Sequence, residues 1–260
     1  MKRMPILVLL TLMLCLPLWA WAQQFAIVAD SHVGARDSVY RDIIERIEDE
    51  KLETIIHVGD AINSPGNVAQ WKKFFELTGS GKTLHLAPGN NDIKDAKSIQ
   101  VYLKFFAEMY YSFSEGDTLF IILNTELPDE KRRISGNQLS WLSRELKRSF
   151  RYKFVFLHQP LYPIVRLHAL DRYEEARDVL HKILAQNRVS LVVAGHEHAY
   201  RKSVKDGVTY VIAPRSRLVS YLFFEDGQPG YIVARRKGKG YLFTVKDSLG
   251  NLQDSFTIVK

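Results

Sequence analysis

Cysteine is almost missing from this chain of 260 residues: the single thiol is Cys15. It lies inside an N-terminal apolar segment that we predict is removed on export. The mature chain would then hold no cysteine, which excludes disulfide bonds and thiolate ligands. Any bound metal must be held by nitrogen and oxygen atoms.

One apolar run stands apart from the rest. Lys2 and Arg3 precede it, it extends from Ile6 to Leu18, and it ends in Ala20-Trp21-Ala22. This layout predicts a signal peptide over residues 1–22, with cleavage after Ala22 and one domain over residues 23–260. The alternative is an uncleaved anchor, but a spanning helix needs about 20 apolar residues. We therefore expect a periplasmic or secreted protein with no transmembrane span in the mature chain.

Internal repeats and low-complexity tracts are absent, and 46% hydrophobic content suffices for one domain with a substantial core.

The net charge is +7, or +5 once Lys2 and Arg3 are removed. This excess could favour anionic substrates, or it could be a solvated basic surface. The densest basic cluster, Arg235 to Gly240, has the glycines of a hairpin tip. Nucleic-acid binding stays open but has no support in the sequence.

The chain alternates strand and helix patterns and then changes to strands alone. Strands are predicted at Phe25–Ala29, Thr54–Val58, Thr83–Ala87, Thr118–Asn124, Phe154–Leu157 and Val189–Ala194, and in the tail at Val208–Ala213, Gly230–Ala234, Gly240–Lys246 and Ser255–Val259. Helices are predicted at Val39–Glu50, Asn67–Leu77, Ser98–Tyr110, Asn137–Ser149 and Tyr173–Gln186. This order predicts an α/β core with a second sheet packed on it.

Polar residues with metal-binding groups follow five of the predicted strands. Ligands of open α/β sheets lie at the carboxyl ends of strands, so these side chains should converge. Carboxylates, an amide oxygen and imidazoles suit Mn, Fe, Zn or similar ions. Seven such groups exceed what one ion with an open position needs, and they fit two divalent ions that share a carboxylate. The seven are Asp30, His32, Asp60, Asn90, His158, His196 and His198.

In this order the motifs resemble those of the calcineurin-like metallophosphoesterase superfamily: Asp-x-His, Gly-Asp, Gly-Asn, a strand ending in His, and Gly-His-x-His. The stretch Gln138–Leu146 looks similar too. The resemblance implies a four-layer αββα sandwich of two mixed sheets flanked by helices. It also implies a dinuclear hydrolase in which a metal-bound water or hydroxide attacks small phosphate diesters or monoesters. By the same resemblance, Asp30, His32 and His198 would hold one ion, Asn90, His158 and His196 the other, and Asp60 would bridge them.

Two positions depart from the family pattern. Where the family has a histidine that donates to the leaving oxygen, this chain has Asn91, and Asp92 would be the residue that supports it. These two are the candidate catalytic residues. An amide donates a hydrogen bond but supplies no proton near neutral pH, which favours diesters or good leaving groups over ordinary monoesters. Purple-acid-type members carry a tyrosine where this chain has Asn63, so an iron–tyrosinate centre is not predicted.

Asn91 also leaves an alternative open, a catalytically weak metal-binding scaffold or interaction protein of the same fold. Among the other histidines, we interpret His57 and His85 as structural and His181 as a surface residue. His168 lies in the loop after His158, where it could meet substrate phosphate or simply be solvated. The loop from Thr125 to Ser135 could shape the substrate pocket or serve only as a connection.

Overall fold

A computed structural model describes residues 23–218 and 227–260 of the chain. The predicted signal peptide over residues 1–22 lies outside the described residues. Within the described ranges, no helix has both the length and the apolar character needed to cross a bilayer.

The first sheet joins a parallel half to an antiparallel half. Strands β1 (Gln24–Val28), β2 (Thr54–His57) and β3 (Thr83–Leu86) run parallel. Strands β10 (Gly230–Lys237), β11 (Gly240–Asp247) and β12 (Leu252–Val259) form an antiparallel meander that pairs with β1. The strand order is β12-β11-β10-β1-β2-β3. Three of the four strands predicted in the tail therefore extend the first sheet, whereas the predicted strand Val208–Ala213 belongs to the second sheet.

The second sheet has a parallel centre with an antiparallel strand at each edge. Strands β5 (Thr118–Ile122), β6 (Tyr152–Phe156), β7 (Leu191–Ala194) and β9 (Val208–Ile212) run parallel. Strands β4 (Tyr111–Glu115) and β8 (Arg201–Lys205) flank them. The order is β4-β5-β6-β7-β9-β8.

The central strands of each sheet are buried on both faces, which explains their nearly continuous apolar runs. In β1, Phe25 and Ile27 face the second sheet, whereas Ala26 and Val28 face helices. Helices α1 (Tyr40–Asp49), α2 (Val68–Thr78) and α3 (Ala96–Tyr102) cover the first sheet, and α4 (Gly136–Glu145) and α5 (Glu174–Gln186) cover the second. The predicted four-layer αββα sandwich is confirmed.

Two local features differ from the predictions, the end of α3 and the edge strands. Helix α3 ends at Tyr102, because the following turn packs the rings of Phe105 and Phe106 against Trp71. The edge strands β4 and β8 were not predicted. The basic run lies at a hairpin tip, as predicted: β10 ends at Lys237, β11 begins at Gly240, and Gly238 and Lys239 form the turn between them. Arg235 pairs with Glu50 and Arg236 pairs with Asp117.

Candidate metal centre

The seven predicted ligands come together at one edge of the sandwich. They follow the carboxyl ends of β1, β2, β3, β6 and β7, where the parallel parts of both sheets end. Backbone hydrogen bonds hold these ends in register: Asp30 N donates to Gly59 O at 3.0 Å and Gly195 N donates to His158 O at 3.0 Å. The amide of His196 donates to both carboxylate oxygens of Asp30, at 3.1 and 3.0 Å. Residues from opposite sheets are thus tied directly to each other.

Five of the seven ligands have left-handed backbones. The φ angles are 52° for Asp30, 42° for His32, 56° for Asp60, 74° for His196 and 56° for His198. Non-glycine residues rarely adopt this conformation, and it persists only where the surrounding structure enforces it. It lets both ends of an Asp-x-His or His-x-His motif point inward while the middle residue points away. Ser31, for example, bonds to His57 and to the carbonyl of Ala61.

The first ligand group contains Asp30, His32, His198 and one oxygen of Asp60. The Nε2 atoms of His32 and His198 lie 3.3 Å apart. Nε2 of His32 lies 3.6 Å from Asp60 Oδ2, and Nε2 of His198 lies 3.7 Å from Asp30 Oδ1. All four residues present a ligand atom within 4.8 Å of the others, and all four are buried.

The second ligand group contains Asn90, His158, His196 and the other oxygen of Asp60. Nε2 of His158 lies 3.2 Å from Asn90 Oδ1, 3.1 Å from His196 Nδ1 and 3.5 Å from Asp60 Oδ1. The two carboxylate oxygens of Asp60 therefore face different ligand groups. This position would suit the bridging role that the resemblance implied for Asp60.

These spacings fit metal coordination. Two atoms bound to one ion at about 2.1 Å lie about 3.0–3.4 Å apart for right-angle to tetrahedral geometry. The close pairs above fall at or slightly beyond this range. The distal nitrogens are also oriented as metal ligands require: His158 Nδ1 donates to Val58 O at 3.0 Å, and His196 Nε2 lies 3.3 Å from His168 O. The residues present thus fit two ions, with Nε2 of His158 and Nδ1 of His196 as the inner atoms.

Burial sets the protonation of the metal-free site. It lowers the pKa of His32 to about 4 and that of His198 to about 3, and it holds the pKa of His196 well below its usual range. These rings are neutral at pH 7 and offer lone pairs to a metal. Burial also lowers the pKa of His158, but the carboxylates of Asp60 and Asp30 outweigh it and raise that pKa to about 9. A bound ion would replace the His158 proton.

Glycines in the motifs permit the close approach of the ligands. A Cβ atom on Gly89 would lie 2.3 Å from both N and Oδ1 of Asp60, and one on Gly195 would lie 2.9 Å from Asp30 Oδ2. A Cβ atom on Gly59 would lie 2.5 Å from His158 Nδ1, and its φ is +93°. Each glycine belongs to one ligand motif and makes room for a ligand from another.

Comparison with known proteins agrees with this geometry. The family model described as calcineurin-like phosphoesterase matches residues 24–200. The chain belongs to the calcineurin-like phosphoesterase family. The resemblance found in the motifs is thereby confirmed.

The curated relatives include named phosphatases. The chain is 26% identical over 230 residues to phosphoenolpyruvate phosphatase of Allium cepa, a match that covers 77% of this chain and 46% of the relative. It is 28% identical over 149 residues to purple acid phosphatase 23 of Arabidopsis thaliana, which covers 51% of this chain and 32% of the relative. This phosphoesterase chain spans less than half the length of these relatives.

Solved structures share the fold. A purple acid phosphatase from yellow lupin (Lupinus luteus) seeds superposes with a TM-score of 0.70 at 18% identity, covering 92% of this chain and 54% of that one. GAP50, the anchor in the inner membrane complex of Plasmodium, gives 0.71 at 14% identity and covers 92% and 89%. A dimetal phosphatase from Danio rerio gives 0.63 at 14% identity and covers 91% and 98%. At these identities the likeness shows the fold alone.

Asn91 and Asp92 hold the candidate metal ligand Asp60 and the backbone around it in place. Asn91 donates to Asp60 twice, from its backbone N to Oδ1 at 2.7 Å and from Nδ2 to Oδ2 at 2.6 Å. Asp92 is fully buried and accepts from the amides of Ala61, Ile62 and Gly89 at 2.9–3.1 Å. The geometry therefore gives both residues positioning roles, with Asn91 orienting the bridging carboxylate. Asn63, which stands where purple-acid-type members carry a tyrosine, donates from its backbone N to Val33 O.

A polar cleft of about 240 Å³ opens over the ligands. Besides metal ligands it is lined by Lys131, Arg132, Gln159 and His168. The ring of His168 stacks on that of His196 with centroids 4.6 Å apart. Its Nδ1 atom donates to Glu197 Oε1 at 2.6 Å, and the side chain remains 43% exposed. His168 therefore stands at the cleft with one ring edge fixed.

Sequence reasoning missed Glu197. It is the middle residue of Gly-His-Glu-His, it is 1% exposed, and its second oxygen accepts from the amides of Ile164 and Val165 at 2.9 Å each. Glu197 therefore fixes the loop that carries His168 as well as the ring itself. An acidic residue between two histidine ligands is a signal that could have found it.

The remaining histidines are structural. His57 is buried and bonds to Ser31 and the amide of Gly59, and His85 stacks on Phe113 with centroids 3.6 Å apart, so both interpretations are confirmed. The surface assignment of His181 was wrong. Its side chain is buried because Nδ1 bonds to the Tyr210 hydroxyl and Nε2 bonds to Asp206, each at 2.7 Å.

Proposed function

We propose that this protein is a metal-dependent phosphoric ester hydrolase that acts on small phosphate monoesters. The observation that carries the proposal is the position of Asp60, whose two oxygens lie 3.6 and 3.5 Å from histidines of different ligand groups. Two divalent ions bound there would polarise phosphoryl oxygens and lower the pKa of a bound water. Manganese, iron or zinc would suit these ligands.

Hydrogen bonds from neighbouring residues orient the candidate metal ligands. Asn91 holds both oxygens of Asp60, and His158 is fixed through Nδ1 to the carbonyl of Val58. Such bonds fix the rotamers of the ligands before substrate arrives, so that little reorganisation is needed during the reaction. The polar cleft then positions the ester with its leaving group directed away from the buried ligands.

His168 is the proposed proton donor to the leaving oxygen. Its Nδ1 atom is committed to Glu197, and among residues 23–218 and 227–260 nothing bonds to its Nε2 atom. The second ring nitrogen of an imidazole can donate to a leaving oxygen, whereas the side-chain amide of Asn91 donates to Asp60. The reason for favouring diesters was the lack of such a donor. With His168 in that role, monoesters with ordinary leaving groups become substrates.

The first test removes the shared carboxylate charge. Asp60→Asn should abolish turnover of p-nitrophenyl phosphate by the manganese-reconstituted protein and should lower its bound metal well below two ions. Asp49→Asn is the matched control, because Asp49 is an exposed residue of α1 whose ion pair, within the described ranges, is with Arg46. Full turnover by the Asp60→Asn protein would refute the proposal.

The second test addresses the proton donor. A positioned general acid contributes about 10²–10⁴-fold, and more for poor leaving groups. His168→Gln should therefore slow phenyl phosphate much more than p-nitrophenyl phosphate, and Glu197→Gln should show a weaker version of the same pattern. An equal loss on both substrates would assign His168 to binding instead.

The competing function is a metal-binding scaffold with little catalysis. It is favoured by Asn91, whose side-chain amide donates to Asp60 and which is not among the described residues that line the cleft. Under this alternative the manganese-loaded protein would bind two ions and fail to turn over either p-nitrophenyl phosphate or bis-p-nitrophenyl phosphate. Faster turnover of the diester than of the monoester would restore the diester preference.

We also propose that the protein is exported. The support is the residue pattern of positions 1–22, with a basic start, an apolar run and a small-x-small end. Mass spectrometry of protein recovered from fractionated cells should give a mature N-terminus at Gln23. An intact N-terminus in the membrane fraction would indicate an anchor.

A further inference from the structure

One stretch of the cleft wall is cationic. It comes from the loop between β5 and α4, where Lys131 and Arg132 reach the lining of the same cleft as His168 and the metal ligands. The loop is held in place, since Arg132 N donates to Thr125 O at 2.8 Å and Glu130 N donates to Leu127 O at 3.1 Å. The cationic side chains thus stand beside the proposed reaction centre on a fixed backbone.

Arg132 has no carboxylate to neutralise it in the part of the chain that the structure describes. Other arginines do: Arg217 forms a two-point pair with Asp37 at 2.9 Å, and Arg236 forms one with Asp117 at 2.9 Å. A planar guanidinium is suited to two-point binding of carboxylate or phosphate oxygens. Arg132 is therefore an anion-binding group available at the cleft.

Lys131 is anchored more firmly. Its Nζ atom lies 3.7 Å from Glu126 Oε2, and the Glu126 side chain is fully buried. The other oxygen of Glu126 accepts from Thr125 at 3.0 Å and from the amide of Gln159, which follows the ligand His158. Because Glu126 offsets part of its charge, Lys131 should contribute less to anion binding than Arg132.

The described lining of the cleft offers a leaving group little apolar surface. Among residues 23–218 and 227–260, every residue that lines it is polar or charged: Asp60, Asn90, Lys131, Arg132, Gln159, His168, His196 and His198. The cleft has a volume of about 240 Å³ and opens to solvent, so a leaving group bound against these side chains gains its affinity from polar or ionic contacts.

We propose that the preferred substrate carries a second anionic group on its leaving group, a carboxylate or another phosphate, and that Arg132 binds this group with Lys131 beside it. This inference rests on the proposed hydrolase function and specifies the substrate class. Arg132 and Lys131 are then the residues that determine leaving-group specificity.

The test compares matched substrates. Phenyl phosphate and 3-carboxyphenyl phosphate release phenols of similar acidity, and only the second has an extra charge. Arg132→Gln should lower kcat/KM for the carboxylated ester about tenfold while changing phenyl phosphate less than about twofold. Lys131→Gln should cause a smaller selective loss, about threefold. Pyrophosphate is the third substrate, in which the second anionic group is a phosphate.

Arg41→Gln is the control, because it removes the same charge from an exposed position of α1. A loss confined to 3-carboxyphenyl phosphate identifies the second group as a carboxylate, and a loss confined to pyrophosphate identifies it as a phosphate. Equal losses on all three substrates, or the same losses in the Arg41→Gln protein, would overturn the inference. If the unaltered protein hydrolysed none of the three, the proposed function itself would fail.

Discussion

A single added methyl group at Gly89 should disable the metal centre. The backbone of Gly89 is not left-handed, so alanine is acceptable there conformationally, and the whole effect must come from contact. The added Cβ atom would lie 2.3 Å from N and Oδ1 of Asp60. Non-bonded heavy atoms approach comfortably to about 3.5 Å, so Asp60 or the end of β3 must move by about 1 Å.

Neither side can move freely. Asp60 Oδ1 accepts from Asn91 N at 2.7 Å, and Gly89 N donates to Asp92 Oδ2 at 2.9 Å. A misplacement of 1 Å in a catalytic group is associated with a loss of about 10²-fold in rate. The crowding should also lower the free energy of unfolding by about 1–3 kcal/mol.

The assay measures kcat/KM for p-nitrophenyl phosphate, bound manganese and thermal unfolding on Gly89→Ala. Gly81→Ala is the matched control, because a Cβ atom at Gly81 meets nothing within 4 Å and its backbone is likewise not left-handed. The control should keep full activity and metal content. Two bound ions and activity within about twofold of the parent in Gly89→Ala would refute the argument from close approach.

Three further predictions follow from the same contacts. Asn91→Ala removes the hydrogen bond from Nδ2 to Asp60, and it should reduce metal affinity or turnover about 10–100-fold, as measured by metal titration and steady-state kinetics. An unchanged affinity and rate would show that Asn91 does not position Asp60. Chelation should lower the melting temperature by about 10 °C, since ligand at a thousand times its Kd contributes about 4 kcal/mol; manganese should restore it, and Asp60→Asn should respond far less. Burial lowers the pKa of His57 to about 3, against about 6.5 in the unfolded chain, so only the unfolded state takes up this proton between those values. The free energy of unfolding should therefore fall as pH drops from about 6.5 towards 3. With chelator present, the plot of this free energy against pH should be shallower for His57→Gln than for the parent, by up to about 1.4 kcal/mol per pH unit. Identical slopes for the two proteins in denaturant titrations would contradict this.

The convergence of the ligands was predictable because parallel strands end at a common edge. Asp30, Asp60 and His158 could be located as soon as the strands before them were recognised. The alternation of strands and helices predicted an α/β core with a second sheet packed on it, and the αββα order was implied by the resemblance of the ligand motifs to the family. These features depend on short-range pattern and on a general rule of sheet topology, both of which one sequence carries.

The misses depended on contacts between distant parts of the chain. His181 lies on α5 between Leu180 and Lys182, and its burial depends on the β8–β9 hairpin, which supplies Asp206 and Tyr210 to its two nitrogens. Strand β8 reads Arg-Lys-Ser-Val-Lys, a charged stretch typical of an edge strand, and it has no apolar alternation to reveal it. The direction of the Asn91 side chain could not be predicted, because it depends on where Asp60 lies across the sheet.

The left-handed ligands have a consequence for the evolution of the chain. Each such residue costs about 1–2 kcal/mol relative to an ordinary backbone, and Asp30, His32, Asp60, His196 and His198 all adopt this conformation. Glycine would relieve the cost at every one of these positions, and each relief would remove a metal ligand. Selection for stability alone would therefore remove the candidate metal ligands first, and the αββα fold would persist after metal binding was lost. Descendants that keep this fold as a binding module without metal are therefore an accessible outcome of a few substitutions.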